Sequence, residues 1–212
     1  GARVAGQATR IGGNAEIAAD LAVPGAAIEV WSAALEALDG RIDVLVNNAG
    51  VFEQAPIDLD DEAWRRAWER TMTINLTASA ELCRLAVRHF QARGEGGRIV
   101  NVASRAAYRG DSPAHWHYAA SKGGMVAMTK SIARGYAAEG VLAFSVCPGF
   151  VMTGMAEDYV SSRGGEALLR DIPLGRVATP EEVATTIAFL ALEAPASMTG
   201  AAIDINGASF VR

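Results

Sequence analysis

The 212-residue sequence contains no run of 18 apolar residues, so no segment of it reads as a membrane-spanning helix. Cysteine is nearly absent. The two present, Cys83 and Cys147, fit no metal-ligand or redox spacing and read as buried free thiols of a reducing, cytoplasmic compartment. Positive charge is not in excess: a net charge of −5 and a pI near 5.3 argue against a nucleic-acid surface. Gly1 to Arg10 carry the polar residues Arg3, Gln7, Thr9 and Arg10 where the apolar core of a secretory signal would lie. What is present is a globular composition, 50% hydrophobic and 20% charged, which excludes a disordered chain. A chain of this length buries roughly 70% of the surface that its unfolded form exposes. Without repeats, low-complexity tracts or linker-like shifts, residues 1–212 read as one domain.

Two patterns alternate. Short β-branched runs predict strands at Ala2–Gly6, Glu16–Ala19, Ile42–Asn47, Arg98–Ala103, Leu142–Cys147 and Ala201–Asp204. Longer Ala-rich stretches predict helices. One runs from Pro24 to Leu38 and ends at Asp39-Gly40. A second covers Asp60 to Arg93, too long to be unbroken, with an interruption expected near Thr73–Asn75. A third spans Tyr118 to Ala138, and a fourth Pro180 to Leu192, opened by Thr179-Pro180-Glu181-Glu182. Strand–helix repetition predicts a three-layer αβα, doubly wound parallel sheet of the Rossmann type.

Several polar groups fall at the predicted carboxyl ends of strands, where ligands of open α/β sheets bind. Asn47-Asn48-Ala49-Gly50 ends one strand, and its small residues admit a flat group close to the backbone. Ser104 follows another and could donate to a substrate oxygen. Cys147-Pro148-Gly149-Phe150-Val151-Met152-Thr153 follows a third, with Pro148 ending the pairing and Gly149 permitting close approach. Tyr118 and Lys122, four residues apart, share a helix face, where the ammonium is expected to lower the phenol's pKa and make Tyr118 a proton donor and acceptor. Asn75, a poor interior helix residue, is either a tolerated kink or a group placed for a water contact. Each of these alone is equally an ordinary turn, cap or surface residue.

Taken in order, Asn-Asn-Ala-Gly, Asn75, Ser104, Tyr118-x-x-x-Lys122 and Pro148-Gly149 resemble the short-chain dehydrogenase/reductase family over the entire chain. The likeness continues in Asp20-Leu21, in Ile172-Pro-Leu-Gly-Arg176 before Pro180-Glu181-Glu182, and in Thr199-Gly200 through Ile205-Asn206-Gly207-Ala208. Within the family the chain looks most like 3-oxoacyl-carrier-protein reductase-like proteins. The resemblance implies hydride transfer between NAD(P)H and a carbonyl or secondary alcohol, a 3-oxoacyl thioester among the candidates. It implies that Tyr118 protonates the reduced oxygen, Ser104 polarises the carbonyl, Lys122 binds the nicotinamide ribose and tunes Tyr118, and Asn75 holds a relay water. Asp20 and Leu21 would flank the adenine. Asn47, Ala49 and Gly50 would lie on the adenosine side, and Pro148, Gly149, Val151 and Thr153 on the nicotinamide. A homodimer or homotetramer is implied, packed through the Asp60–Arg93 and Tyr118–Ala138 helices, with a small-molecule substrate and neither nucleic acid nor membrane as partner.

The family's Gly-rich phosphate-binding loop is not found, and Gly1–Ala5 aligns with the family's second strand, so a missing first βα unit is expected. The sheet would then keep a groove in that place or close across it. The helix between the second and third strands of the family is also replaced, by Gln7–Asn14. That stretch supplies no acid for a ribose 2′-hydroxyl but does supply Arg10, which leans towards a 2′-phosphate and hence NADP over NAD. The competing reading is a non-catalytic scaffold or assembly subunit that keeps the fold without the loop. His115-x-His117 lacks a third ligand, so no metal is expected, and these residues are placed at the substrate mouth or the surface. Trp116, Phe150 and Met152 are candidates for an apolar wall, Met155–Arg170 for a lid, and Arg105 and Arg109 for contacts to an acidic carrier or a phosphorylated substrate.

Overall fold

The computed structural model describes residues 1–12, 15–152 and 165–212, with the backbone alone at 15 and 166–168. Thr153 and most of the expected Met155–Arg170 lid therefore lie outside the described residues. Six parallel strands form two sheets. One pairs β1 (Gly6–Ala8) with β2 (Ala15–Ala18); the other is ordered β3 (Val44–Asn47), β4 (Gly97–Val102), β5 (Val141–Pro148) and β6 (Ala202–Ile205). Seven helices are described: α1 (Ala26–Ala37), α2 (Asp61–Met72), α3 (Ala78–Arg93), α4 (Ala106–Arg109), α5 (Trp116–Tyr136), α6 (Gly165–Arg170) and α7 (Pro180–Leu192).

The strands sort their side chains with period two, as a sheet covered on both faces requires. Ile99 and Ala143 pack with α1, α3 and the end of α5, whereas Val100, Phe144 and Val146 pack with Val183, Leu190 and Ala191 of α7. All five of those strand residues are fully buried, so the two layers of helix are anchored on opposite sides of the same pair of central strands.

The helix boundaries follow local chemistry. Asp60 caps α2, accepting from Ala63 N at 2.8 Å, and Thr179 caps α7 in a reciprocal capping box with Glu182. The interruption expected near Thr73–Asn75 is a π-helical turn, Thr73–Thr77, joining α2 to α3. Its extra residue per turn rotates Asn75 into the core, where it is wholly buried. Helix α1 starts later than Pro24 because Gly25 stands in the left-handed region, and it ends where Asp39 and Gly40 take positive φ.

The first expected strand is wrong in position. Residues 2–5 form no strand, because no neighbour offers them a ladder; Arg3 instead donates to the Ala37 carbonyl at the end of α1 and pairs with Asp39. Pairing begins only at Gly6. The two sheets are not hydrogen-bonded to each other, so among the described residues β3 has a strand on one side only. Of the two outcomes expected there, the sheet keeps its gap and does not close.

Candidate active site

Because β3 to β6 are parallel, their carboxyl ends share one edge, and the site is built along it. At the end of β4, the Val102 carbonyl accepts from Lys122 Nζ at 2.8 Å. Two residues on, Ser104 is buried, with its Oγ accepting from Ala106 N at the start of α4. At the end of β5, Pro148 O accepts from Arg105 N, and Gly149 N donates to Ile205 O of β6. A side chain on Gly149 would bring its Cβ to 2.9 Å from that of Asn206, so only glycine lets these two chain ends touch.

Helix α5 brings the remaining groups. Tyr118 sits in its first turn and Lys122 one turn further, the ammonium 5.9 Å from the phenol ring centroid. The Ser104 hydroxyl lies close enough to Tyr118 to favour its phenolate. The Ser121 hydroxyl donates to Tyr118 O and accepts from Asn75 Nδ2 at 3.2 Å. Asn75 also clamps the loop after β3, accepting from Val51 N at 2.8 Å and donating to Val51 O at 3.0 Å. Gly50 lies between these parts: a Cβ there would stand 3.4 Å from both Asn75 Oδ1 and Lys122 Nζ. Thus Gly50, Asn75, Ser104, Tyr118 and Lys122 converge on one place.

Burial sets the electrostatics. Lys122 is 4% exposed, and desolvation brings its pKa down to about 8. Tyr118 departs from the sequence expectation, because burial raises its pKa more than the Ser104 hydroxyl lowers it. The ammonium is turned to the Val102 carbonyl, and its pull does not reverse that balance. Tyr118 is consequently a protonated phenol at neutral pH. Burial also lowers both His115 and His117. His115 stacks on Phe52, centroids 3.9 Å apart, Phe52 meets Tyr118 edge-on, and His115 Nδ1 is 2.6 Å from Ser112 Oγ. His117 is 1% exposed and stacks on Trp68. Neither histidine is a surface residue; Phe52, unforeseen in the sequence, carries His115 to the tyrosine. Trp116 and Phe150 are partly exposed, consistent in placement with an outer wall.

Other expected cofactor contacts are dispersed. Asn47 turns inward, donating to Asn101 Oδ1 at 2.8 Å and to Cys83 Sγ at 3.3 Å, while Asn101 donates to Thr129 Oγ1. This buried network ties β3, β4, α3 and α5 together behind the site. Its sequence signal was Asn101 itself, a polar residue in an apolar strand that needs a buried partner. The Cys83 thiol in the network is pushed up to about 12 by burial. Ala49 packs against the core beside Leu21, which is itself buried there. Asp20 accepts from Ala22 N in a local turn, and Arg10 is exposed beyond the end of β1. Val151 bridges to Ala178.

The donor set fits the nicotinamide-ribose end of a dinucleotide. The Lys122 ammonium commits one N–H to Val102, and the missing side chain of Gly50 leaves space beside that ammonium and Asn75 Oδ1. A concavity of about 690 Å³ lined by Leu174, Asp204, Asn206, Phe210 and Arg212 among others contains none of these groups.

Comparison with known proteins agrees with this geometry. The family model described as enoyl-(acyl carrier protein) reductase matches residues 1–208. A 3-oxoacyl-[acyl-carrier-protein] reductase of Synechocystis is 39% identical over 79% of the chain and 64% of its own length. One from Vibrio harveyi is 32% identical over 100% of the chain and 88% of its own length. The chain thus spans just under two thirds of the Synechocystis relative and most of the Vibrio one. The crystal structure of a proposed gluconate dehydrogenase from Agrobacterium tumefaciens superposes with a TM-score of 0.81 at 28% identity, over 93% of this chain and 77% of that one. With its parallel sheet and its Ser104, Tyr118 and Lys122 in one cluster, the chain belongs to the short-chain dehydrogenase/reductase family of NAD(P)-dependent oxidoreductases.

Proposed function

We propose that this site carries out reversible hydride transfer between NADPH and a carbonyl or secondary alcohol, with a 3-oxoacyl thioester as the leading substrate. The observation that carries this reading is that Ser104 and Tyr118 meet beside the buried Lys122 ammonium, 5.9 Å from the phenol ring centroid. A reduced nicotinamide, when bound, supplies the hydride. Ser104 holds the carbonyl oxygen and polarises it. Tyr118, protonated at neutral pH, delivers the proton to that oxygen as negative charge develops there. Lys122 places positive charge beside the phenol as it becomes phenolate, and its uncommitted N–H groups hold ribose hydroxyls. Asn75 fixes the Val51 loop against α5 and keeps a water within reach of Lys122. Gly50, Pro148, Gly149 and Val151 would line the nicotinamide and adenosine path, with Asp20 and Leu21 towards the adenine.

A scaffold without chemistry accounts poorly for the same residues. An ammonium buried beside a phenol is costly for stability and has no use without a reaction. A preference for NADPH over NADH is supported by Arg10, an exposed cation beyond the end of β1 that suits a 2′-phosphate. The protein associates with itself through α2, α3 and α5, whose Ala-rich faces permit close helix approach.

Reduced-nicotinamide oxidation with acetoacetyl thioesters and simple ketones tests the reading. Turnover with NADPH exceeding that with NADH supports it, and no turnover of any carbonyl overturns it. Arg10→Ala weakens NADPH binding by roughly 1–3 kcal/mol, the loss of a charge-assisted contact, and leaves NADH binding nearly unchanged. Equal effects on both cofactors contradict the Arg10 assignment.

A further inference from the structure

The residue after Ser104 has a role that the hydride-transfer chemistry does not use. Arg105 donates its backbone N–H to Pro148 O, so its side chain leaves the chain between the ends of β4 and β5. The guanidinium lies over the Phe150 ring, 5.0 Å from its centroid, and the side chain is only 11% exposed. Its Nη1 is buried and, among the described residues, has no hydrogen-bond partner. The nearest carboxylate oxygen is Asp171 Oδ2 at 3.6 Å, beyond hydrogen-bond distance, and that oxygen already accepts from Arg109 Nη1 at 2.9 Å. Asp111 acts on Arg105 through space only. Two guanidinium groups, one helical turn apart on α4, thus compete for one half-exposed carboxylate, and the more buried of them goes without.

A buried guanidinium nitrogen left without an acceptor is unfavourable, the more so because the group is charged. A planar fork held in place by an aromatic face is also matched to a carboxylate or phosphate. Position decides what that anion belongs to. Arg105 is adjacent in sequence to the serine that holds the carbonyl, and it rests on Phe150, which follows the Pro148-Gly149 turn lining the same site. An anion on Arg105 would lie beside the strand end that carries Ser104.

We propose that Arg105 is a specificity-determining contact for an oxyanion carried by the substrate, with Asp171 as the internal group that the anion displaces. The proposal rests on the oxidoreductase reading for the identity of the substrate but not for the existence of the anion site. It narrows the substrate class from carbonyls in general to those bearing a carboxylate or phosphate near the reacting carbon.

Two measurements test it separately. In the first, malonate and inorganic phosphate, neither of which has a carbonyl to reduce, are titrated calorimetrically into the protein with NADP present. Binding of either anion is expected, the better of the two identifying carboxylate or phosphate as the natural group. Arg105→Gln weakens binding about 10- to 100-fold, Arg105→Lys retains part of it, and Asp171→Asn tightens it by removing the competing carboxylate. A merely structural Arg105 would not give tighter binding on loss of Asp171. No binding of either anion, or equal binding by wild type and Arg105→Gln, overturns the proposal; so does unchanged or weaker binding by Asp171→Asn. In the second, kcat/KM is measured for acetoacetate and for its methyl ester, which share a carbonyl and differ in charge. The acid-to-ester ratio falls about 10- to 100-fold in Arg105→Gln, chiefly through KM. An unchanged ratio overturns the proposal while leaving the reductase reading intact. Arg105-dependent anion binding without turnover of either compound has the opposite meaning: the anion site stands and the reductase reading fails.

Discussion

Lys122 shows how a single buried group sets the working range of the site. Its folded pKa is lowered to about 8, so the ammonium is present below that pH and lost above it. Tyr118 is raised from its ordinary value and keeps its proton throughout this range. Carbonyl reduction needs both the phenol proton and the ammonium charge. The expected kcat/KM for reduction is flat through neutral pH and falls as pH rises through about 8. Lys122→Arg, whose side chain stays charged, should move or abolish that alkaline limb, and an unaltered limb would place it on another group. That Ser104, Tyr118 and Lys122 come together was legible in the sequence, because they stand at fixed offsets from strand and helix ends. The direction of the Tyr118 shift was not legible, because it depends on how deeply α5 buries the phenol. The inward turn of Asn47 onto Asn101, and the stacking of Phe52 on His115, likewise come from tertiary packing that no local pattern encodes.

At the scale of elements, local chemistry predicted best where it was densest. Helix α7 begins and ends where Thr179-Pro180-Glu181-Glu182 and Leu192 place it, since cap, proline and acids all agree. Thr179→Ala should destabilise the protein by about 1 kcal/mol in denaturant titration, and a loss near zero would show the capping box to be redundant. Glu182 also pairs with Arg176 and accepts from Thr179 N, and its pKa is lowered to about 2. A carboxylate with a depressed folded pKa stabilises the fold fully above its unfolded value. That contribution is lost as pH falls from about 4.5 towards about 2. Glu182→Gln should therefore flatten the acid side of the stability curve in that window while the Thr179 cap persists. The first strand was misplaced for the converse reason. Residues 2–5 have strand composition, but a strand needs a neighbour, and Arg3 finds the end of α1 instead.

The molecule as a whole is a site edge supported by four parallel strands, with a gap between β2's sheet and β3. Helices α1, α3 and α5 cover one face and α7 the other, which is why the catalytic groups stay in register although the sheet is divided. Ser104 just past β4, Tyr118 and Lys122 of α5 and Asn75 of the π-helical turn all lie on the continuous side of the gap. In the 212-residue polypeptide, the alternation of a parallel ladder turns the Val44 and Val46 amides to the unpartnered edge, and Val46 is 40% exposed. Their amide hydrogens should exchange faster than those of Ile99 and Val100 in β4. Equal protection would mean that the gap is closed in solution.

The account as a whole depends on one proton. If Tyr118 delivers it, Tyr118→Phe keeps the ring and the fold but removes the donor. The measurement is kcat for carbonyl reduction by the NADPH-loaded enzyme, wild type against Tyr118→Phe, with thermal unfolding as the control for structure. A loss on the order of 10²–10⁴ in turnover with an unchanged unfolding midpoint is the predicted result. Reduction by the folded variant at a rate close to that of the wild type would contradict it.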